Sequence, residues 1–398
     1  MFETLPTLVP DPILGLVAEC KRDNNPNKID LSVGVYKDES NHTPVMAAVR
    51  EAQIRYLESE TSKVYQPPGG TENFIGKVNE LIFGESHPAL KDNRIATVQA
   101  TGGCASLHLA AKLIMRANPD AKVWLSDPSW PNHFPLLSST GINIELYPYY
   151  DSESHSVSFD KMVSTLENAG AGDLVLIHAS CHNPCGADLT KEQWRILTEL
   201  AQKNGFVPFI DMAYQGFGLS LDDDAYGIRY MSEHLPEVVV CNSFSKNFGL
   251  YRERAGSLSV VVSDAQQTPT VMNQALNVAR GIYSMPPAHG AALVETVLSN
   301  PDLRDMWHSE VNAMRERIVA MRSALADGIA ALGCDRDFSF IKQQFGMFSF
   351  LGLTETQVDR LKTDYSVYII KSSRISVAGI NPGNLPYLCR AVSEVVKL

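Results

Sequence analysis

The sequence lacks any apolar run long enough to cross a membrane. Its start, Met1-Phe-Glu-Thr-Leu-Pro6, has neither the basic residues nor the apolar core of a secretory signal. The seven cysteines are an odd number at irregular spacings, which is not the pattern of a disulfide framework. We therefore expect a cytoplasmic protein with reduced thiols.

Basic residues are outnumbered, because 34 Lys and Arg against 45 Asp and Glu give a net charge of −11. The acidic excess is spread along the chain, which argues against nucleic acid or an anionic membrane as a partner, although a local basic pocket for a small anion stays possible. The 398 residues, 44% apolar and 20% charged, suffice for two or three globular domains.

Short β-branched runs alternate with helical stretches through the middle of the chain. This alternation predicts an α/β fold with a largely parallel sheet covered by helices on both faces. The strands are expected at residues 95–98, 122–126, 144–147, 173–178, 206–210, 237–241 and 256–262. The clearest helices are expected at residues 190–204, 264–279 and 301–332.

The two ends of the chain predict a smaller α+β domain. Ile29–Tyr36 alternates like a strand and carries Gly34 where a backbone could approach a ligand. Two further strand-like runs occur at 346–350 and 367–370. The helical pattern of residues 301–332 has no proline break, and such a long helix often bridges two domains.

Lys246 follows the buried apolar run Val238–Cys241, where a central strand of an α/β sheet gives way to a loop and ligands usually bind. An amine held there loses its proton more readily than in water and can form a Schiff base. Arg254 is far enough along to return to the same pocket and pair with a phosphate. The alternative is a solvated lysine beside surface arginines.

Asp211 ends another predicted strand, with Tyr214 close behind it. A buried carboxylate needs a partner, which could be a protonated pyridine nitrogen that it keeps charged. The alternative is an aspartate that caps the next helix. Gly102 and Gly103 open a helix directly after a strand, where backbone N–H groups could close around a phosphate. Their spacing matches neither a dinucleotide fingerprint nor a Walker loop.

His178, Cys181, His182 and Cys185 lie within eight residues and raise the possibility of a metal site. His178 ends a strand and Asn-Pro plus Gly form a turn, so convergence of all four on one ion is sterically doubtful, and the spacing matches no common zinc pattern. We predict no metal. The turn is better interpreted as presenting Asn183, whose amide can donate to a phenolate-like oxygen.

Three further side chains each have an ordinary alternative. Trp130, on a loop after a strand, could stack on a flat ring or belong to the core. Arg280 and Arg374 could each hold a carboxylate by a two-pronged hydrogen bond or form a surface salt bridge.

Five motifs together resemble the aspartate/aromatic aminotransferases, which are fold-type I pyridoxal-phosphate enzymes. These motifs are Ser243-Phe-Ser-Lys-Asn-Phe-Gly249, Asp211-Met-Ala-Tyr-Gln-Gly-Phe217, Cys181-His-Asn-Pro-Cys-Gly186, Pro128-Ser-Trp-Pro-Asn-His133 and Pro286-Pro-Ala-His-Gly290. The similarity runs nearly end to end, with the motifs in the same order. The residues of Gly186–Thr190 and of Ser243-Phe-Ser are closer to the aromatic branch of the family.

The resemblance implies a large cofactor-binding domain at 44–312 with a seven-stranded, mostly parallel sheet. It also implies a small domain made of 12–43 and 313–398. An N-terminal arm is expected over residues 1–11, where Pro6 and Pro10 disfavour regular structure.

The resemblance assigns pyridoxal 5'-phosphate as cofactor. Lys246 would bond covalently to it and later move the substrate's α-proton. Asp211 would face the pyridine nitrogen with His133 behind it. The remaining ring contacts would come from Tyr214 and Asn183 at the ring oxygen and from Trp130 on the ring face.

The resemblance also implies how the ends of cofactor and substrate are held. The phosphate ligands would be Gly103, Cys104, Ser243, Ser245, Arg254 and, from the other subunit of a homodimer, Tyr65. The α-carboxylate ligands would be Arg374, Gly34 and Asn183. Arg280, also from the partner subunit, would meet a side-chain carboxylate.

Three positions depart from the family pattern. Cys104 stands where Ser or Thr is usual, which removes one hydroxyl donor to the phosphate. Ser373 precedes Arg374 where glycine is common. Met285 replaces a polar residue near Arg280 and leaves the preference between aspartate and aromatic substrates open.

The expected function is ping-pong transamination of aromatic (Phe, Tyr, Trp) and dicarboxylic (Asp, Glu) L-amino acids with 2-oxoglutarate. One alternative is an aspartate aminotransferase with little aromatic activity. Another is a β-lyase or decarboxylase, although Arg374 would hold the carboxylate that a decarboxylase must release. A third, from a different class, is a non-catalytic or metal-binding protein built around His178–Cys185.

Overall fold

The structure, a computed structural model, describes residues 2–5, 7 and 12–397. The predicted arm lies largely outside the described residues; within it, Phe2–Thr4 form one turn of 3₁₀ helix. None of the described helices combines the length and the apolar character needed to cross a bilayer.

The elements are numbered along the chain. The helices are α1 (Pro12–Arg22), α2 (Ala47–Ser59), α3 (Glu72–Phe83), α4 (Pro88–Lys91), α5 (Gly102–Ala117), α6 (His133–Ser138), α7 (Phe159–Leu166), α8 (Lys191–Asn204), α9 (Leu221–Asp224), α10 (Tyr226–His234), α11 (Thr268–Ile282), α12 (Ala288–Ser299), α13 (Pro301–Ala331), α14 (Glu355–Tyr365) and α15 (Leu385–Val396). The strands are β1 (Ile29–Asp30), β2 (Ile95–Thr101), β3 (Lys122–Asp127), β4 (Asn143–Pro148), β5 (Tyr150–Asp151), β6 (Ser156–Val157), β7 (Leu174–His178), β8 (Val207–Met212), β9 (Val238–Ser243), β10 (Ala255–Val261), β11 (Phe348–Phe350), β12 (Val367–Tyr368) and β13 (Arg374–Ser376).

The chain divides into two compact units. The large unit comprises Pro44–Asn183 and Ala187–Arg317. The small unit comprises the described residues of Met1–Thr43 together with Pro184–Gly186 and Ile318–Leu398. The predicted domain limits stay a prediction, because compactness alone does not show that a segment folds or moves independently.

The large unit is built on a seven-stranded sheet in the order β2-β10-β9-β8-β7-β3-β4. Only β10 pairs antiparallel to its neighbours, and the pairs β9–β8, β8–β7, β7–β3 and β3–β4 are parallel. The predicted α/β class with a mostly parallel, helix-covered sheet is therefore confirmed. Strands β7 and β9 are buried along their whole length, as expected for apolar runs covered on both faces.

Local sequence explains the borders of these elements. Thr190 caps α8 through a complete capping box with Gln193, and Gly205 ends that helix in the left-handed conformation at φ +80°. Helix α5 begins directly after β2 at Gly102, whose φ is +77°. Gly256 on β10 packs against this turn, because a Cβ there would lie 2.8 Å from the carbonyl carbon of Gly102.

The small unit contains a parallel pair, β1 with β12, and an antiparallel pair, β11 with β13. The strand predicted over residues 29–36 was too long, because β1 ends at Asp30. The Asp30 carboxylate accepts hydrogen bonds from the backbone N–H of Ser32, at 2.9 Å, and from its hydroxyl, at 2.6 Å. This side-chain turn competes with the ladder and ends the strand.

Candidate active site

Asp211 lies near the carboxyl end of β8, between two other central strands. It pairs with His178 on β7 and with Cys241 on β9. Its side chain is buried and lies 3.0 Å from Nε2 of His133, the first residue of α6. The other ring nitrogen of His133, Nδ1, lies 2.9 Å from the hydroxyl of Ser129. This chain of bonds holds the imidazole with its Nε2–H directed at the carboxylate.

The surroundings of Asp211 keep it ionised. Burial acts to raise the pKa of its carboxyl, but the hydrogen bond from His133 and the charges of His133, His178 and Lys246 outweigh it, so the pKa is lowered. A buried carboxylate with one oxygen bonded to a histidine can still accept a bond from a cationic nitrogen.

A cluster of histidine rings lies behind Asp211. The ring centroids of His133 and His178 are 5.2 Å apart, and those of His178 and His182 are 4.2 Å apart. His182 also stacks on Tyr149 at 4.0 Å and meets the hydroxyl of Ser126 at 3.1 Å. Neither ring nitrogen of His178 has a hydrogen-bond partner among the described residues. Burial lowers the pKa of His178 and of His182 below the ordinary value of a histidine, so these two rings are neutral.

The potential metal-ligating residues that lie together in the structure differ from the four that are close in the sequence. Among the described residues, the ligand atoms brought within 4.8 Å of one another belong to His133, His178 and Asp211. The segment around Cys181 instead turns back on Asp188, whose carboxylate accepts from the backbone N–H groups of Cys181 at 2.6 Å and His182 at 2.8 Å. The 3.0 Å separation of His133 and Asp211 is that of an ordinary hydrogen bond.

Lys246 follows β9, and its ammonium nitrogen Nζ lies 4.8 Å from the centre of the Tyr214 ring. Burial lowers the pKa of the Lys246 amine, and the positive charge of Arg254 lowers it further, whereas Asp211 and Cys104 act to raise it. Since burial dominates, the amine gives up its proton more readily than an exposed lysine does and is better suited to act as a nucleophile or a base.

A cradle for an anion lies at the start of α5. A Cβ on Gly102 would come within 2.6 Å of Nη2 of Arg254, and one on Gly103 would come within 3.1 Å of Cβ of Ser243. The hydroxyls of Ser243 and Ser245 are 3.1 Å apart. A guanidinium, two hydroxyls and the N-terminal N–H groups of a sixteen-residue helix thus converge, and this donor set fits a phosphate.

Cys104 and Trp130 lie beside this cradle. The amide of Asn132 contacts the sulfur of Cys104 at 3.8 Å, which links the loop carrying Trp130 to the first turn of α5. The Trp130 ring meets His133 edge-on, with centroids 5.1 Å apart at 83°. Trp130 is half-buried and packs against the main hydrophobic core, so it contributes to the core as well as lying beside the cradle.

In the small unit, Arg374 is buried and forms a compact group with Gly34 and Phe348. The guanidinium carbon lies 4.4 Å above the centre of the Phe348 ring, and Nη2 donates to the carbonyl of Ser32 at 2.7 Å. A Cβ on Gly34 would lie 2.6 Å from the same ring, so this position requires glycine. Contact with an aromatic face and a carbonyl orients the guanidinium for a planar anion.

Ser373 explains why glycine is common before this arginine. Its φ is +69°, in the left-handed region that favours glycine. The strain is offset by a hydrogen bond, since its hydroxyl accepts from the backbone N–H of Leu353 at 2.9 Å. The departure therefore keeps the backbone path that presents Arg374.

The predicted residues fall into three groups. The large unit brings together Lys246, Asp211, His133, Tyr214, Trp130, Gly103, Ser243, Ser245 and Arg254 through the contacts described above. Asn183 is buried in the same unit, whereas Arg280 is exposed at the end of α11 and Tyr65 is 88% exposed. Arg374 and Gly34 lie in the small unit. Sequence reasoning missed Ser129 and Phe348, although Ser129 stands inside a quoted motif, four residues before His133.

Comparison with known proteins gives consistent results. The family model "Aminotransferase class I and II" matches residues 26–392. An aspartate aminotransferase of Salmonella typhi is 44% identical over 396 residues, covering all of both chains. An aromatic-amino-acid aminotransferase of Paracoccus denitrificans is 42% identical over 395 residues, covering 99% of this chain and all of the other.

A solved structure shows the same fold. The aromatic-amino-acid aminotransferase of Burkholderia pseudomallei, covalently bound to pyridoxal phosphate, superimposes with a TM-score of 0.98 at 41% identity, covering all of this chain and 99% of that one.

The buried side chain of His178 should lower the free energy of unfolding in acid. Burial, reinforced by the charge of His133, lowers the pKa of His178 from 6.5 to about 3, although Asp211 opposes the shift. Between those values the unfolded chain binds a proton that the folded chain does not, so the free energy of unfolding falls as the pH falls. We expect His178 to account for a loss of about 1–2 kcal/mol between pH 7 and pH 5.

Urea unfolding without cofactor at the two pH values measures this loss. His178→Gln should reduce the loss by that amount, while His42→Gln, at an exposed position, should leave it unchanged. Equal losses in the parent and the His178 variant would contradict the assignment.

Proposed function

The chain belongs to the class I and II aminotransferases, and from this membership we propose that Lys246 and Asp211 carry its reaction. It is an enzyme that transfers amino groups with pyridoxal phosphate as cofactor. The observation that supports our assignment is the meeting, in one buried cluster, of an ionised carboxylate, an amine with a lowered pKa and an anion cradle.

Pyridoxal phosphate, when bound, supplies an aldehyde carbon for amine exchange and a ring that accepts the electron pair left when the substrate Cα loses its proton. Asp211 would hold the proton on the ring nitrogen, and His133 would keep Asp211 charged and oriented. Tyr214 and Asn183 would donate to the ring oxygen, and Trp130 would pack on the ring face. The phosphate would be held by Gly103, Cys104, Ser243, Ser245, Arg254 and the partner's Tyr65.

Lys246 has two roles in this proposal. Its amine would hold the cofactor. When free, the same amine would take the proton from the substrate Cα and give it back, which is general base and general acid catalysis by one group. Burial lowers the pKa of this amine, so it gives up its proton more readily than an exposed lysine does.

The substrate carboxylates are assigned to arginines. Arg374, with Gly34 and Asn183, binds the α-carboxylate, and the partner's Arg280 binds a side-chain carboxylate. Two arginines suit 2-oxoglutarate as the amino acceptor, since it carries two carboxylates. Aromatic substrates use the same α-carboxylate site, and the names of the relatives support activity on both classes.

The exposed side chains of Tyr65 and Arg280 support a homodimer. Tyr65 is 88% exposed, and Leu57 and Val64, which precede it in the sequence, are each 75% exposed; a second copy of the chain would cover such apolar surface. We also propose a cytoplasmic location, since the seven cysteines are present as thiols. Cell fractionation that found the activity outside the cytoplasm would overturn this last point.

Covalent trapping tests the central role of Lys246. Borohydride reduction of the holoenzyme followed by peptide mapping should find the cofactor on the peptide that contains Lys246. Lys246→Ala should lose that adduct and about 100- to 10,000-fold in kcat, since it lacks the proton-transfer group. Lys203→Ala, at an exposed position on α8, serves as control. A fully active Lys246→Ala enzyme would refute the proposal.

A substrate panel tests the specificity. The parent should transaminate both phenylalanine and aspartate with 2-oxoglutarate. Arg280→Ala should lower kcat/KM for aspartate about 10- to 100-fold through loss of a charged hydrogen-bond pair, and should change kcat/KM for phenylalanine only slightly. A parent that prefers aspartate by orders of magnitude would instead indicate an aspartate aminotransferase with little aromatic activity.

Mixing two variants with different defects tests the shared site. Lys246→Ala chains and Arg280→Ala chains, refolded together and assayed with aspartate, should recover up to about a quarter of parental activity, because one site in each hybrid is then intact. The pair Lys246→Ala with Asp211→Asn should recover none, since both defects lie within one chain's contribution. Failure of the first pair to recover would contradict the exchange of Arg280.

A further inference from the structure

Three consecutive aspartates end the short helix α9, and only the last of them is buried. Asp222 pairs with Arg229 at 2.9 Å, and Asp223 pairs with Lys191 at 2.7 Å, both near the surface. Asp224 is 4% exposed. Aspartate is seldom fully buried in folded proteins, so the burial of Asp224 requires an explanation.

The carboxylate of Asp224 is bonded to the backbone of the loop that precedes α9. Its Oδ2 accepts from the N–H of Gly216 at 2.8 Å and of Gly218 at 2.9 Å, and its Oδ1 accepts from the N–H of Leu219 at 2.9 Å. Burial raises the pKa of this carboxyl, while the backbone N–H groups act to lower it. The charge of Asp224 and the shape of the loop therefore support each other.

Residues 214–219, here called the Tyr214 loop, are also held from other sides. Arg315 donates to the carbonyl of Gly216 at 3.2 Å. The amide of Gln215 donates to the carbonyls of Leu81 and Leu221, each at 3.0 Å. Gly216 has a φ of +94°, and a Cβ on Gly218 would come within 2.5 Å of Oδ1 of Asp224. These hydrogen bonds and close contacts restrict the backbone of the loop to its present conformation.

This loop begins with Tyr214, whose side chain lies beside the Lys246 amine. The buried Tyr214 ring lies 4.8 Å from Lys246 Nζ, and its carbonyl accepts from the N–H of Phe217 at 2.9 Å, which closes a turn. A change in the path of residues 216–219 would therefore move the tyrosine. A shift of about 1 Å is enough to weaken a hydrogen bond from its hydroxyl.

We propose that Asp224 is a positioning residue, which fixes the Tyr214 loop and thereby aims the Tyr214 hydroxyl at the ring oxygen of the cofactor. The proposal rests on the proposed function, because it needs Tyr214 to meet the cofactor. It assigns a role in the active site to a carboxylate that touches neither cofactor nor substrate.

Hydrogen exchange of the cofactor-free protein tests the first half of the proposal. Asp224→Asn replaces one accepting oxygen by an NH₂ group, so the amides of Gly216, Gly218 and Leu219 should exchange about tenfold faster or more. Asp222→Asn, two residues away on the same helix and exposed, should leave these rates unchanged. Unchanged rates in Asp224→Asn would overturn the proposal.

The visible absorbance of the bound cofactor, titrated with pH, tests the second half. A hydroxyl that donates to the ring oxygen stabilises its more anionic, deprotonated state. Tyr214→Phe should therefore raise the pH midpoint of this absorbance titration by about one pH unit. Asp224→Asn should shift it in the same direction, and the double variant should shift it no further than Tyr214→Phe alone, because both changes remove one contact.

The outcomes separate the two proposals. If Tyr214→Phe leaves the midpoint unchanged, the proposed role of Tyr214 fails, and the role of Asp224 fails with it. If Tyr214→Phe shifts the midpoint but Asp224→Asn does not, or if the two shifts add, only the role of Asp224 is overturned.

A second variant guards against a failure of Asp224→Asn to fold. Gly218→Ala presses a methyl group against the same carboxylate from the loop side and leaves Asp224 itself in place. It should reproduce both the faster exchange at Gly216 and Leu219 and the shift of the midpoint. Parental behaviour in this variant would overturn the proposal.

Discussion

The hydrogen bond between His133 and Asp211 is the interaction on which the chemistry of the large unit depends. A carboxylate buried within a sheet is costly unless its charge is compensated, and removing its partner would favour the neutral acid. His133 supplies that compensation and is itself held by Ser129. Because the charge on Asp211 is maintained, a cationic ring nitrogen can be stabilised beside it.

The cluster is polarised from end to end. At one end the helix N-terminus, two serine hydroxyls and Arg254 present positive character, and at the other Asp211 presents a negative charge backed by histidines that burial keeps neutral. This field is complementary to a ligand with an anionic tail and a cationic ring, and it disfavours the reversed orientation. Burial lowers the pKa of the Lys246 amine although Asp211 is nearby, and the positive charge of Arg254 lowers it further.

Much of the large unit could be predicted from the sequence, because its strands are short, β-branched and bounded by helices. The seven strands were all found within two or three residues of their predicted limits. The strand predicted from Ile29 is too long, because hydrophobic periodicity does not reveal the hydrogen bonds that Ser32 donates to the Asp30 carboxylate. Ser129 and Phe348 were missed for a related reason, since their roles come from contacts across the fold. Nor does the sequence of Asp222–Asp224 indicate that the carboxylate of Asp224 is buried.

The boundary between the two units falls inside α13, after Arg317, where the helical periodicity is uninterrupted and marks no border.

The antiparallel strand β10 has a consequence for how the protein is made. It pairs with β2, more than a hundred residues earlier in the chain, and its Gly256 packs on the glycine turn that opens α5. The anion cradle is thus assembled from residues 102–104 and 243–254, which meet only once that pairing has formed. Such non-local closure is slow compared with helix formation. A chain still on the ribosome therefore has no place to dock its coenzyme until β10 has emerged, so loading follows the completion of the sheet.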